Sequence, residues 1–490
     1  MPPVTPARRE KALAINTAAL TLGRLGSKLL VFLLVRFYTA VLTKEQFGTA
    51  DLVTSVSNFL IPLACAGLSS GFFRFAAEAK SRREQSDVFS TGACILAVSS
   101  VLFALLSPLL MLFPYFGEYT VLILLYVLCA NLHYLVSDFV RSQGNYKLFA
   151  WQGLLNTALN ISFNLLFLLP LSMGVEGYVL SVVAADLCTS VFLIIYCRLW
   201  RFLRPGAVEK EQVQAMLRYC LPLIPATLCW WITNASDRYM VTHFCGEAAN
   251  GLYAAAYKIP NLVTVASGIF LDAWQFSAVS EHSLVWQADS AEETVRHRSS
   301  LVTFFSRVFK GYASLLVLAA AGMILLCRPL ARLLFAPEFV AAERFVPVLL
   351  LACVLSALSN FAGSVYMVEK RGGAMLATAA LGAAVNIVLN LLLIPPYGAL
   401  GAAVATALSY GVVFAVRLIS ARRSIPFSCA PVRLGISLGL LTLMAVLHTA
   451  RWNGWVWQCC LLLALLLFFK TPALLHSLRR LFASRKQEQK

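Results

Sequence analysis

The stretch Asn160-Ile161-Ser162-Phe163-Asn164-Leu165-Leu166, followed by Pro170 and Gly174-Val175-Glu176-Gly177, has a counterpart further along the chain. That counterpart is Asn386-Ile387-Val388-Leu389-Asn390-Leu391-Leu392, followed by Pro396 and Gly398-Ala399-Leu400-Gly401. The spacing recurs at an offset of 226 residues, with a two-residue slip before the glycines. Each copy begins in an apolar stretch of about 20 residues, the length an α-helix needs to cross the hydrocarbon of a bilayer. Asparagines at i and i+4 share one helix face, where amides are expected to bond between helices rather than meet lipid. Proline and glycine then close one helix and open the next. Two such helix–turn–helix copies predict two similar membrane-embedded halves.

Composition points the same way. Of 490 residues, 59% are hydrophobic and 13% charged, against about 25% charged in an ordinary soluble domain. Mean hydropathy is +0.76. These values exclude a soluble enzyme, a disordered chain and a disulfide-stapled secreted domain. The net charge of +17 comes in short clusters between apolar runs rather than on one surface, so nucleic acid is not an expected partner. The 13 cysteines form no C-x-x-C pair and fall mostly in apolar segments, and the six histidines have no ligand spacing. No metal or cofactor is expected.

The apolar pattern predicts fourteen spans: 13–41, 48–73, 88–113, 119–140, 148–170, 175–197, 216–236, 250–279, 301–327, 341–368, 374–395, 399–421, 432–449 and 453–470. Arg8-Arg9-Glu10-Lys11 precedes the first, which continues without a small-residue cleavage site and reads as a retained helix. Of the 40 Lys and Arg, 30 fall on the side of the N-terminus and six on the other: Lys44, Arg238, Arg328, Arg332, Arg344 and Arg451. The positive-inside rule then puts both termini in the cytoplasm. The expected organisation is a six-helix bundle at 1–200, a cytoplasmic linker at 201–218, a second six-helix bundle at 219–424, two further spans at 425–472 and a basic tail at 473–490. Parallel repeats of this kind are a transporter architecture, with the substrate at their interface. Loops are short, and no nucleophile–base set or phosphate-cradling glycine loop is present, so no catalytic residue is assigned.

Intramembrane charges mark the candidate site, because a cation in mid-membrane costs about 2.5–3.5 kcal/mol by insertion scales. The first span carries Thr17, Thr21, Arg24 and Lys28 on one face. With Arg74 at the inner end of the second span and Lys258 in the eighth, Arg24 and Lys28 are the expected substrate-binding cations of a central cavity. Asp51, Asp138, Asp186 and Asp272 are candidates for ion coupling or charge balance, and Asp138 with Arg141 also fits a structural ion pair. Arg36, Asp237 and Arg238 lie toward the outer side as gate or interface residues. The Asn156, Asn160, Asn164 stripe fits helix packing, and Gly67 with Gly71 has a common packing spacing. Pro62, Pro222 and Pro225 allow bending.

Several motifs occur in order: Lys44-Glu45-Gln46-Phe47-Gly48, Gly71-Phe72-Phe73-Arg74-Phe75, Pro222-Leu223-Ile224-Pro225, Asp237-Arg238-Tyr239 and Gly251-Leu252-Tyr253-Ala254-Ala255-Ala256-Tyr257-Lys258. Together with the Asn-Pro-Gly repeat they resemble the multidrug/oligosaccharidyl-lipid/polysaccharide (MOP) exporter superfamily, most closely its polysaccharide-transport branch; the related lipid II flippases are similar in outline. The resemblance implies an all-α, non-enzymatic flippase of the bacterial plasma membrane. Its cargo would be a polyprenyl-diphosphate-linked oligosaccharide, moved by alternating access through a cationic cavity. Membrane lipids and polysaccharide-assembly enzymes are the implied partners, and an H⁺ or Na⁺ gradient or the membrane potential the implied energy source. An ion-coupled multidrug exporter on the same scaffold is the alternative, and a membrane-embedded glycosyltransferase or polymerase a more distant one.

Overall fold

The computed structural model describes residues 34–204, 206, 208–286, 290–369, 371–450 and 455–468. The expected cations Arg24 and Lys28 and the 473–490 tail lie outside them. Every regular element among the described residues is helical. Among the described residues, ten helices are long and apolar enough to cross a membrane, or eleven when one bent pair counts as a single span. The chain divides into two compact units, Met1–Ala254 and Ala255–Lys490.

The first unit opens with α1 (34–41) and α2 (Lys44–Ala64). Thr43 caps α2: its hydroxyl accepts from the Gln46 amide and the Gln46 side chain accepts from the Thr43 amide, two otherwise unpaired donors satisfied reciprocally. The single span expected at 48–73 is instead broken. α2 stops after Pro62, and α3 (Leu68–Glu78) leaves at 48° to it. Ala66 and Gly67 both adopt positive φ there. A side chain at Gly67 would strike the Cys220 carbonyl and one at Gly71 the Cys220 sulfur, so the glycine pair is where α3 presses on the chain at 219–220.

α4 (Arg82–Leu106), α5 (Thr120–Ser142), α6 (Tyr146–Leu168) and α7 (Gly174–Tyr196) follow. α6 is long enough to span, but Gln152, Asn156, Asn160 and Asn164 dilute its apolar character, and it is not among the ten. The segment expected to be a plain linker carries α8 (Lys210–Cys220), whose buried Met216 and Cys220 join the core of α3, α4 and α5. Thr91 donates to Gln212, and the Ser90 hydroxyl bridges the Phe202 carbonyl and the Arg204 amide, which ties this segment to α4. A 3-10 turn at Leu221–Leu223 contains Pro222. Pro225 falls in the first turn of α9 (Ile224–Cys245), where a missing N–H costs nothing.

α10 (Glu247–Trp286) carries the chain from the first unit into the second. There follow α11 (Ala291–Leu325), α12 (Cys327–Leu334), α13 (Val346–Val368), α14 (Gly372–Tyr397) and α15 (Ala399–Ser424), and α10, α11 and α13 share an aromatic core. Trp274 stacks on Phe361 and its indole donates to Ser364, while Phe305, Phe309 and Phe427 close the cluster. α16 (Pro431–Thr449) packs on α11 and α13, and α17 (Trp455–Phe468) on α11 and α16.

The internal repeat extends well beyond its Asn-Pro-Gly signature. α5 and α13 are both 23 residues long, and they begin and end 226 residues apart. α6 and α14 also begin at that offset, preceded by Asn145 (φ −84°, ψ 61°) and Arg371 (φ −90°, ψ 62°) in the same backbone conformation. Asn164 donates to the Asn160 side chain at 3.0 Å, and Asn390 to the Asn386 side chain at 2.9 Å. In each hairpin a glycine admits the close return of the second helix. A side chain at Gly177 would crowd Met173 and Phe167, and one at Gly401 would strike the Leu393 carbonyl.

Candidate functional site

The most tightly built polar site of the first unit lies where α2 meets α9 and the start of α10. Gly48 and Gly251 make the crossing possible: a Cβ at Gly48 would collide with the Glu247 carbonyl, and one at Gly251 with the Lys44 carbonyl. The Asn250 side chain donates to the Gly48 carbonyl at 2.8 Å. This approach brings Asp51, just past Gly48, onto α9. Arg238 Nε donates to Asp51 Oδ2 at 2.7 Å, and its Nη1 lies 3.4 Å from Asp237 Oδ1 and also donates to the Asn234 carbonyl. Asp237 is fully buried, and its Oδ2 accepts from the Tyr253 hydroxyl at 2.6 Å.

Two carboxylates thus share one guanidinium, and three elements are fastened by a single network. Sequence spacing treats Asp51 as a coupling residue and Asp237 and Arg238 as outer residues; the structure puts all three in one cluster. The span expected to end at 236 continues as α9 to Cys245, so Arg238 lies inside a helix and not in a loop. Pairing with Asp51 is the reason: it neutralises a charge that hydropathy alone reads as the end of a span. Arg36 lies exposed on α1, with its backbone carbonyl accepting from Thr39.

A second cluster sits among α5, α6 and α7. His133 Nδ1 lies 3.1 Å from Asp186 Oδ1, and its Nε2 lies 2.8 Å from Gln152 Oε1. Gln152 in turn donates to Ser137, and Asn156 donates to Asp186 at 2.8 Å. Of these residues, sequence reasoning singled out Asp186 for its charge and Asn156 for packing, and missed His133 and Gln152. Asp138 pairs with Arg141 at 3.1 Å, and the Arg141 guanidinium lies over the Phe73 ring. Arg74 is exposed, paired with Glu78 at 3.1 Å and placed over Tyr219.

The second unit has a buried cation that sequence reasoning did not single out. Arg417 of α15 is 7% exposed. Its Nε donates to the Thr378 hydroxyl at 3.0 Å, and its Nη1 lies 3.4 Å from the Ser359 hydroxyl. Gly363 leaves it room, since a Cβ there would sit 3.1 Å from Nη1. Ser359, Gly363 and Thr378 stand 226 residues after His133, Ser137 and Gln152. The same three positions of the repeat therefore build both clusters, one around the carboxylate of Asp186 and the other around a guanidinium. Extending the 226-residue offset backward from the Asn motif would have exposed these positions in the sequence. Lys258, half-buried, and Asp272, exposed, both lie on the part of α10 that belongs to the second unit.

Among the described residues, no three His, Cys, Asp or Glu side chains converge on a metal-sized site.

Comparison with known proteins fits this architecture. An inward-facing multidrug resistance MATE family transporter of the MOP superfamily superposes with a TM-score of 0.66 at 17% identity, covering 83% of this chain and 98% of that one. The lipid II flippase MurJ, in an inward closed conformation, gives 0.66 at 14% identity and covers 96% and 100%. A MOP superfamily transporter from Pyrococcus furiosus, described as having a binding pocket of reversed polarity, gives 0.57 at 16% and covers 85% and 96%. At these identities the likeness establishes a shared fold. No curated protein sequence matches the chain. The sequence profile of the polysaccharide biosynthesis protein family matches residues 13–274, more than half the length, and the chain therefore belongs to that family as a multi-pass membrane protein with the fold of MOP superfamily transporters.

Proposed function

We propose that this protein is a flippase that carries a polyprenyl-diphosphate-linked oligosaccharide from the cytoplasmic to the outer leaflet of a bacterial plasma membrane. Family membership over residues 13–274 is the observation that carries this reading. The physics of the cargo supports it: the polyprenyl chain is at home in lipid, but the diphosphate and sugars are not. Arg24, Lys28, Arg74 and Lys258 are the proposed cations for the diphosphate, through charge-assisted hydrogen bonds. An inside-negative potential favours outward movement of an anion by about 2.3 kcal/mol per charge per 100 mV.

The proposed topology has fourteen spans with both termini in the cytoplasm. The Asp51–Arg238–Asp237 network, pinned beside Gly48 and Gly251, then acts as a releasable outer fastening during alternating access. Of the four acidic candidates, Asp186 is the proposed coupling group, because His133 and Asn156 can exchange hydrogen bonds with it as its charge changes. Polysaccharide-assembly enzymes are the proposed partners that supply and consume the cargo.

The test is flipping of a fluorescent polyprenyl-diphosphate oligosaccharide in proteoliposomes. Arg24→Ala should abolish flipping at unchanged reconstitution, and undiminished flipping would remove the cation from the mechanism. Imposed H⁺ and Na⁺ gradients should change the rate through Asp186, and Asp186→Asn should remove that response. The fold shared with a MATE transporter favours a multidrug exporter as the second reading. Gradient-driven accumulation of a cationic dye without any flipping would establish it instead.

A further inference from the structure

A notch between α11 and α16 in the second unit is lined by nine residues, two of them basic and none acidic. Lys310 comes from α11 and Arg433 from the first turn of α16. Ser314 and Ser437 form a buried floor, with their hydroxyls bonded to the Lys310 and Arg433 carbonyls. Half-buried Leu434 continues the wall as apolar surface, backed by the fully buried Val317.

The rim of the notch is built rather than fortuitous. Ala430, at positive φ, turns the chain into α16 with Pro431 in the first turn and no side-chain cap, and the first helical bond runs from the Leu434 amide to the Ala430 carbonyl. The helix therefore presents the positive end of its dipole at this edge. The loop before it is held in place by the Ser428 amide donating to Ser306 and by Phe427 buried against Phe305 and Phe309.

Depth in the membrane is consistent with a headgroup. α11 has 35 residues, about 52 Å at 1.5 Å per residue, which exceeds the ~30 Å hydrocarbon. Counting about 20 residues back from Leu325 reaches the neighbourhood of Ser306. Lys310 then lies about one turn inside the boundary, within snorkelling reach of the phosphate layer. The charge asymmetry of the loops assigns this end to the cytoplasmic side. Basic pockets between membrane helices on that side bind anionic lipid headgroups.

We propose that this notch is a binding site for an anionic phospholipid of the inner leaflet, with Lys310, Arg433 and the α16 N-terminus on its phosphate and an acyl chain along Leu434. A free phosphate would use the charges but not the apolar wall.

The experiment is a native mass-spectrometry titration of the delipidated full-length protein with phosphatidylglycerol, phosphatidylcholine and inorganic phosphate. One phosphatidylglycerol should bind more tightly than phosphatidylcholine. The double variant Lys310→Gln/Arg433→Gln should bind phosphatidylglycerol about 30-fold more weakly, at roughly a tenfold loss for every 1.4 kcal/mol and about 1 kcal/mol per basic residue near the surface. The charge-preserving Lys310→Arg/Arg433→Lys should retain most of the affinity, which guards against a folding defect. Arg422→Gln/Arg423→Gln, with the same loss of charge outside the notch, should bind nearly as the parent does. Equal losses in the two neutralised doubles, or displacement of the lipid by inorganic phosphate at comparable concentration, would overturn the assignment.

Discussion

Removing Arg238 should damage the first unit more than removing Asp51, although the two form one ion pair. Their side chains are only 13% and 14% exposed, and Nε and Oδ2 are 2.7 Å apart. Truncating one partner of such a buried pair typically costs 3–5 kcal/mol. In Asp51→Asn, however, Arg238 keeps the second carboxylate of Asp237 and the Asn234 carbonyl. The loss then approaches that of one charge-assisted hydrogen bond, about 2 kcal/mol. Arg238→Gln removes the guanidinium that Asp51 and the fully buried Asp237 share, so the full cost of about 3–5 kcal/mol applies. The double variant Asp51→Asn/Arg238→Gln relieves the repulsion and should fall between the two singles. Unfolding free energies in mixed detergent micelles would measure all three. Additive losses, or an Asp51→Asn variant as destabilised as Arg238→Gln, would refute the idea of a shared cation.

Gly251→Val should force α10 away from α2 and abolish transport, and Gly48→Val should do the same. A change at Gly268, where a Cβ meets open space, should be tolerated in the same transport assay. Arg417→Met should shift stability by no more than about 1 kcal/mol, because an apolar side chain of similar volume can replace a buried charge, whereas Arg417→Ala should cost several kcal/mol through the cavity it leaves; thermal unfolding of the pair distinguishes them. In a background lacking other cysteines, exposed Cys245 should react with an impermeant maleimide in intact cells, and a cysteine placed at Arg204 only after permeabilisation. Cys327, fully buried at the start of α12, should stay unlabelled under the same conditions; rapid labelling would contradict that burial.

The repeat was legible because Asn, Pro and Gly are rare and positionally constrained in apolar helices, and it located the α6–α7 and α14–α15 hairpins. Pro62 marked a place where the second span can bend, but not the full break into two helices, because Leu63-Ala64-Cys65-Ala66 reads as uninterrupted apolar helix while the break depends on how Gly67 and Gly71 meet the distant Cys220. The run of α9 past residue 236 depended on an ion pair spanning 187 positions, which local hydropathy does not register. At the candidate sites, charge drew attention to Asp51, Asp186 and Arg238. His133 and Gln152 were overlooked because their neighbours are apolar and their role appears only when three helices converge. Arg417 resembled an ordinary basic residue near the end of a span, and only Thr378 and Ser359 reveal it as an interior group.

The four amides along α6 have a further consequence for how the chain is made. A helix carrying Gln152, Asn156, Asn160 and Asn164 partitions poorly into lipid when it emerges alone from the insertion machinery. Gln152 can already bond to His133 and Ser137 of α5, but the partners of Asn156, Asp186 and Thr189, belong to α7 and arrive later. α6 is thus expected to wait at the translocon exit until α7 has been synthesised, and the two then move into the bilayer as a hairpin. The polar groups that fasten the finished bundle thereby also set the order of its assembly.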